Sequence, residues 1–297
     1  MDKIIHFFLV CGILEKGDKM DGILLINKAA KMTSHDVVNQ VRRLLHTKKV
    51  GHCGTLDPDA TGVLVLCIGK ATKALQFLMS EEKEYIATLS LGSSTDTYDS
   101  SGTVIETKPF CGIENVESIL QSFVGQQKQL PPMYSAIKVN GKKLYEYARK
   151  GETVEVEPRD ITIHEIEVLK QDNHNLTFRV KCSKGTYIRS LCVDIAKAFG
   201  YPGHMAHLIR SQSGHFYLSD CVTLEDVEKG QYRLLSLEEA FRHFEYFVVE
   251  DENIVIHGKK IKSDIDHQVV VVNKEGKVLA VYGPDGQGYL KSIRGLF

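Results

Sequence analysis

From Gly22 to Lys28 the chain reads GILLINK, an apolar run that closes on a polar pair. The run is short and predicts a buried strand. Thr33 or Ser34 then caps a helix. In it Val37, Val38, Val41, Leu44 and Leu45 form one apolar face, while Arg42 and Arg43 stay in water. A loop at 46–62 follows. Val63–Ile68 is apolar and partly β-branched, a strand covered on both faces. KATKALQFL predicts a helix. Glu84–Gly92, EYIATLSLG, predicts a strand with Tyr85, Ala87, Leu89 and Leu91 on one face. Ser93–Gly102 is turn chemistry throughout. Val116, Ile119, Leu120 and Phe123 recur at helical spacing, and Gly125 stops that helix.

The second half continues the pattern. Gln129–Gly151, QLPPMYSAIKVNGKKLYEYARKG, combines a Pro-Pro break, a hairpin turn at Asn140-Gly141, five Lys/Arg and three tyrosines. A strand pair around 153–182 leads into Lys181–Gly200, read as strand, turn and a helix ended by Gly200. A break falls near 244. Beyond it FVVEDENIVIHGKKI and QVVVVNKEGKVLAVYG alternate or run β-branched around a glycine turn. That is enough for a small β-rich module and too little for an independent enzyme. Three segments result: an extension at 1–19, a main body at 20–244, and the module at 245–297. The extension holds IIHFFLVCGIL, too short to span a bilayer, and Met20 offers an alternative start. No signal peptide is expected, and the protein is assigned to the cytoplasm.

Composition changes this picture little. The 297 residues are 43% hydrophobic and 25% charged, with a net charge of −1, so nucleic-acid binding must come from local patches rather than bulk charge. Seven scattered cysteines without a CxxC pair fit reduced cytosolic thiols. His204 and His207 stand three apart with no second ligand pair, so no metal is expected.

The chemistry concentrates in GHCGTLDPDATG, Gly51–Gly62. Pro58 fixes its own φ and pushes Asp57 toward an extended conformation. Gly51, Gly54 and Gly62 permit a tight path. A carboxylate held this way suits a nucleophile or a general base, although Asp-Pro-Asp on composition alone is also an ordinary turn. Lys83-Glu84-Tyr85, TDTYD with Asp96 and Asp99, and GTYIRS with Tyr187 and Arg189 add titratable and aromatic groups elsewhere. Two basic runs accompany them: Arg42, Arg43, Lys48 and Lys49 beside the loop, and Lys138, Lys142, Lys143, Arg149 and Lys150 among tyrosines. Such runs are either solvated faces or phosphate contacts with base-stacking rings.

Taken together, GHCGTLDPDATG, KEYIATLSLGSSTDTYDSSG, LPPMYSAIKVNGKKLYEYARKG, CSKGTYIRSL and HLIRSQSG, in that order over residues 22 to about 215, resemble the TruB family of bacterial tRNA pseudouridine synthases. The resemblance implies an α/β (α+β) fold: a mixed, largely antiparallel sheet flanked by helices, with a PUA-like RNA-binding module after residue 245. It implies isomerisation of uridine to pseudouridine at position 55 in the T loop of tRNA, on a flipped-out base, by a monomer without metal or other cofactor. By the same resemblance Asp57 is the catalytic carboxylate, Tyr85 stacks on the uracil and takes part in proton transfer, and Arg189 pairs with the aspartate. His52, Asp99, Tyr187, Leu208 and Lys28 fall among the substrate-contacting residues, and Lys142 and Lys143 meet RNA phosphates.

Two departures stand out. The family's first motif usually reads DKPxGxTS. Here it is NKAAKMTS, Asn27–Ser34, which puts the shape of that turn in question. Cys53 replaces a more usual threonine or glycine, and thiol reagents are expected to reach it. For Tyr187 and Arg189 to share a pocket, residues 185–189 must be extended and the following helix must begin at or after Ser190, with Ser190 as its cap. Two rival functions remain: a non-catalytic tRNA binder or folding chaperone, separated by turnover, and a nucleoside or glycoside hydrolase. The second needs paired carboxylates, for which Asp59 is a poor partner, and the chain has no tryptophan to stack a sugar.

Overall fold

The computed structural model describes residues 20–79 and 82–297. The extension at 1–19 lies outside the described residues. The main sheet contains β1 (Gly22–Lys28), β2 (Val50–His52), β3 (Thr61–Ile68), β4 (Lys83–Leu91), β5 (Gly125–Gln129), β6 (Arg159–Asp172), β7 (Asn175–Cys182), β8 (Gly203–Ser213) and β9 (Phe216–Tyr217). Their order is β1-β3-β8-β4-β7-β6-β5, with β2 on β3 and β9 on β8. Every pairing is antiparallel except the short parallel contact of β8 with β3. That parallel contact, Arg210 opposite Gly62, lies inside the sheet, beside the loop that carries Asp57.

Local sequence explains most elements. The helix α1 (Ser34–Leu44) starts at Thr33, whose hydroxyl caps the Asp36 N–H while the Asp36 carboxylate returns to the Thr33 N–H. It buries Val37, Val38 and Val41 against β1 and β3. Asn140 and Gly141 both take positive φ, the geometry of a tight hairpin turn, and join strands at 138–139 and 142–143. Val116–Gln121 is helix α2, as its spacing predicts.

Three predictions shift. KATKALQFL is a 3₁₀ segment, Gly69–Ala74, followed by one α-turn, Leu75–Leu78. Within the C-terminal stretch Glu252–Ile256 is a helical turn begun by Asp251, not strand. Helix α3 runs Ile188–Ala198, so Arg189 is helical and Ser190 is not its cap; the Ser190 hydroxyl donates to the Leu130 carbonyl instead. Only Tyr187, extended at the helix entrance, keeps the predicted backbone.

The C-terminal residues form a second, curled sheet: β10 (Tyr246–Val248), β11 (Ile261–Lys262), β12 (Val269–Val272), β13 (Val278–Pro284) and β14 (Tyr289–Gly295), ordered β10-β12-β13-β14-β11. It is not packed separately. Val270, Val272, Val281 and Leu296 share one apolar core with Ile23, Leu25, Val65 and Phe77 of the body.

Candidate active site

The loop between β2 and β3 carries Asp57, and its path is fixed from three sides. Buried Ser34 accepts from the Leu56 N–H at 2.9 Å and donates to the Leu56 carbonyl at 3.2 Å. The Lys28 ammonium, 0% exposed, donates to the carbonyls of Ala29 (2.8 Å), Met32 (2.7 Å) and Pro58 (2.9 Å). Arg210, 1% exposed, donates through Nε to the Val63 carbonyl at 2.7 Å and by longer contacts to those of Gly54 (3.3 Å) and Thr55 (3.4 Å). At Gly62 φ is 103°, and an added Cβ would meet the Arg210 backbone, so only glycine lets β3 and β8 approach here.

Asp57 meets Arg189 side on. Arg189 Nε lies 2.9 Å from one carboxylate oxygen and Nη2 donates to the other at 3.1 Å, a bidentate pair. The guanidinium is 5% exposed and also donates to the carbonyls of Thr97 (3.2 Å) and Tyr134 (3.0 Å). Asp99 faces Arg189 at 3.8 Å, while its other oxygen accepts from Thr97, from the Ser101 N–H and from the Ser101 hydroxyl. Burial raises the Asp57 pKa; the Arg189 charge opposes this, and the neighbouring Asp99 charge adds to it. The Asp57 side chain itself is 33% exposed, open to the cleft mouth, so its desolvation comes from the surrounding walls rather than complete enclosure.

Asp57, Ala60, Asp99, Met205 and Leu208 line one cleft. A bulge in β8 between Met205 and His207 lets Met205 and Leu208, three residues apart, both be buried. Tyr85 packs in the same core as Leu56, Ala60 and Leu208, and its hydroxyl senses both Asp57 and Arg210. Desolvation raises the Tyr85 pKa. The site thus draws together Asp57, Tyr85, Asp99, Arg189 and Leu208.

Other predicted residues sit differently. Half-buried His52 ends β2 upstream of the loop, and burial keeps its imidazole in the neutral form. Tyr187 anchors by its backbone: its N–H donates to the Gln129 side chain at 2.8 Å, and its carbonyl accepts from the same amide at 3.0 Å. Lys28, expected to touch substrate, is too buried to do so. All its protons go to backbone carbonyls, and desolvation lowers its pKa to about 8. It acts through the loop. Lys142 and Lys143 lie on the hairpin arm, each over a tyrosine ring (Tyr147 and Tyr145), and the root of that arm touches Arg189 through the Tyr134 carbonyl. Cys53 is not open to reagents; it is fully buried, with its sulfur 3.7 Å from that of Cys67. Asp59 turns outward to Lys31 at 2.9 Å.

Sequence reasoning left Arg210 without a role and offered Ser34 only as a cap, a place that Thr33 takes. Both stood inside quoted motifs; what was missing was the tertiary contact that gives each its partner.

This arrangement, a bidentate Arg–Asp pair and a buried tyrosine over a mixed central sheet, has counterparts among solved structures. A chain of the crystal structure of a Cbf5–Nop10–Gar1 complex superposes with a TM-score of 0.72 at 24% identity, covering 93% of this chain and 85% of that one. A chain of an H/ACA RNP bound to a substrate RNA containing 2′-deoxyuridine gives 0.69 at 23% identity. At these identities they establish the fold alone. The sequence narrows it. Residues 42–188 match the TruB family pseudouridylate synthase N-terminal domain, and 189–244 match the tRNA pseudouridylate synthase B C-terminal domain. The chain is 43% identical to tRNA pseudouridine synthase B of Bacillus cereus (strain ATCC 10987 / NRS 248) and 45% identical to that of Oceanobacillus iheyensis. In each case 93% of this chain and 97% of the relative are covered. The chain belongs to the TruB family of pseudouridylate synthases, which are isomerases.

Proposed function

We propose that the protein isomerises uridine to pseudouridine in tRNA, at position 55 of the T loop, acting as a cytoplasmic monomer. The observation that carries this reading is the bidentate Arg189–Asp57 pair at the cleft mouth of a TruB-family chain. Isomerisation breaks the C1′–N1 bond, turns the uracil and joins C5 to C1′. Each route to it, attack at C1′, proton removal at C2′ or addition at C6, asks for an ionised Asp57. Burial works against that ionisation and Arg189 restores part of it.

The base must leave the stack at a cost of a few kcal/mol; stacking on an aromatic ring, here Tyr85, returns about 1–3 kcal/mol. Leu208 and Met205 supply an apolar wall to the same cleft. Lys142 and Lys143 on the arm meet phosphates, and residues 245–297 add RNA-binding surface to the body at 20–244. No step calls for a metal or an organic cofactor. No helix among the described residues is long and apolar enough to cross a membrane.

Incubating the protein with an unmodified tRNA transcript and mapping pseudouridine at nucleotide resolution tests the reading. One modified site in the T loop is expected. Asp57→Asn should bind the transcript within a few-fold of wild type, because phosphates carry most of the affinity, yet give no multiple turnover. Turnover by the Asn variant would remove Asp57 from the chemistry. Binding without any modification by the wild type would favour a chaperone.

A further inference from the structure

Arg189 spends its charge on Asp57 and Asp99. The second buried arginine of the site is arranged differently. Arg210 is 1% exposed, and it donates to three backbone carbonyls: Val63 at 2.7 Å, Gly54 at 3.3 Å and Thr55 at 3.4 Å. Carbonyl dipoles compensate a buried guanidinium less than a carboxylate does, so the placement is costly for the fold. Tyr85 stands beside it: the two residues are directly opposed across β8 and β4, and the Arg210 charge favours the ionised form of the Tyr85 phenol. The β8 ladder is irregular between Arg210 and Gln212, which marks this position as a local departure from regular pairing.

Arg210 therefore touches both halves of the site. Its Nε and Nη groups gather the two ends of the loop that carries Asp57, residues 54–55 and residue 63. Its other side meets the strand that carries Tyr85. We propose that Arg210 is a positioning residue that locks these two elements together and serves as the counter-charge for an anionic Tyr85. A guanidinium held beside a buried phenol stabilises its oxygen once the hydroxyl proton has left. The groups facing the Tyr85 oxygen are few. Arg210 from β8 favours the anion; Asp57 from the loop and Cys182 from β7 oppose it, as does burial. Arg210 is thus the cation that keeps Tyr85 able to exchange a proton inside a closed pocket. This deepens the isomerase reading, because it bears on how the second ring of that site takes part in proton transfer.

The test places 3,5-difluorotyrosine at position 85 and follows its ionisation by fluorine NMR in the full-length protein without RNA. This readout does not depend on turnover. In Arg210→Gln the midpoint should move up by about 1–3 pH units, the range for loss of a neighbouring opposite charge. Arg210→Lys keeps the charge and should stay within about half a unit of the parent. Single-turnover pseudouridine formation is read in parallel. With natural tyrosine the Gln variant should lose at least tenfold in rate, and the difluoro ring, being more acidic, should recover most of that loss while changing the parent rate less. An unmoved midpoint in the Gln variant overturns the proposal, as does a rate loss that the acidic ring leaves untouched, because a purely structural clamp would behave so. Should the Gln variant not fold, the Lys variant decides: a folded Lys protein with a displaced midpoint or a hundredfold rate loss overturns it. Absence of pseudouridine from the parent alongside a shifted midpoint would count against the isomerase reading, not against the role of Arg210.

Discussion

Arg189 shows what one side chain can settle. It donates to Asp57 and to the carbonyls of Thr97 and Tyr134, and its charge also faces Asp99 at 3.8 Å. Its charge lowers the Asp57 pKa, against burial, which raises it. Removing the charge leaves burial and the Asp99 charge largely unopposed, so in Arg189→Gln the Asp57 pKa should rise. In the proposed chemistry activity needs the carboxylate and is lost as pH falls through that pKa, so the acid limb of the rate profile should move to higher pH, by about 1–3 units. Single-turnover rates against pH measure it; a limb that stays put or moves to lower pH contradicts the assignment. The residues of this site were legible to different degrees. Asp57, Tyr85 and Arg189 announce themselves by type within dense motifs. Lys28 does not, because a lysine beside a loop reads as wet, and only the fold shows its three protons spent on Ala29, Met32 and Pro58.

At the scale of elements, the turn between β1 and α1 carries the sharpest departure from the family motif. Lys31 stands at the position where the motif has glycine, and its φ is 66°. A left-handed conformation costs a non-glycine residue about 1–2 kcal/mol, partly offset because glycine is freer in the unfolded chain. Lys31→Gly should therefore be more stable than Lys31→Ala by about 1 kcal/mol, although both lose the exposed pair with Asp59. Denaturant unfolding of the two variants checks this, and equal midpoints with equal slopes would mean the turn relaxes without strain. Strands such as Gly22–Lys28 were readable from pattern alone. The start of α3 was not. Spacing says that residues two apart share a face only on a strand, yet a long, flexible arginine in the first helical turn reaches Asp57 without that constraint.

For the molecule as a whole, charge is nearly balanced, so RNA affinity must rest on placement. The hairpin arm concentrates Lys142, Lys143, Arg149 and two tyrosines beyond a root tied to Arg189. Lys142→Ala with Lys143→Ala should weaken tRNA binding and flatten its salt dependence by about 0.7–0.9 per lost phosphate contact on a log–log plot. An unchanged slope would make the run a solvated face. The C-terminal sheet was visible in sequence as a β-rich stretch, but its docking was not, because a shared core is a property of surfaces that meet only after folding. Ile23 and Leu25 at one end of the described chain lie in the same apolar cluster as Val281 and Leu296 at the other. A nascent chain emerges from the ribosome with its early strands first. The apolar cluster that the first strand of the main sheet shares is complete only when the last strand has been synthesised. Translation that stops short would leave a body with an open apolar flank, marked for chaperones and proteases, rather than a working enzyme without its tail.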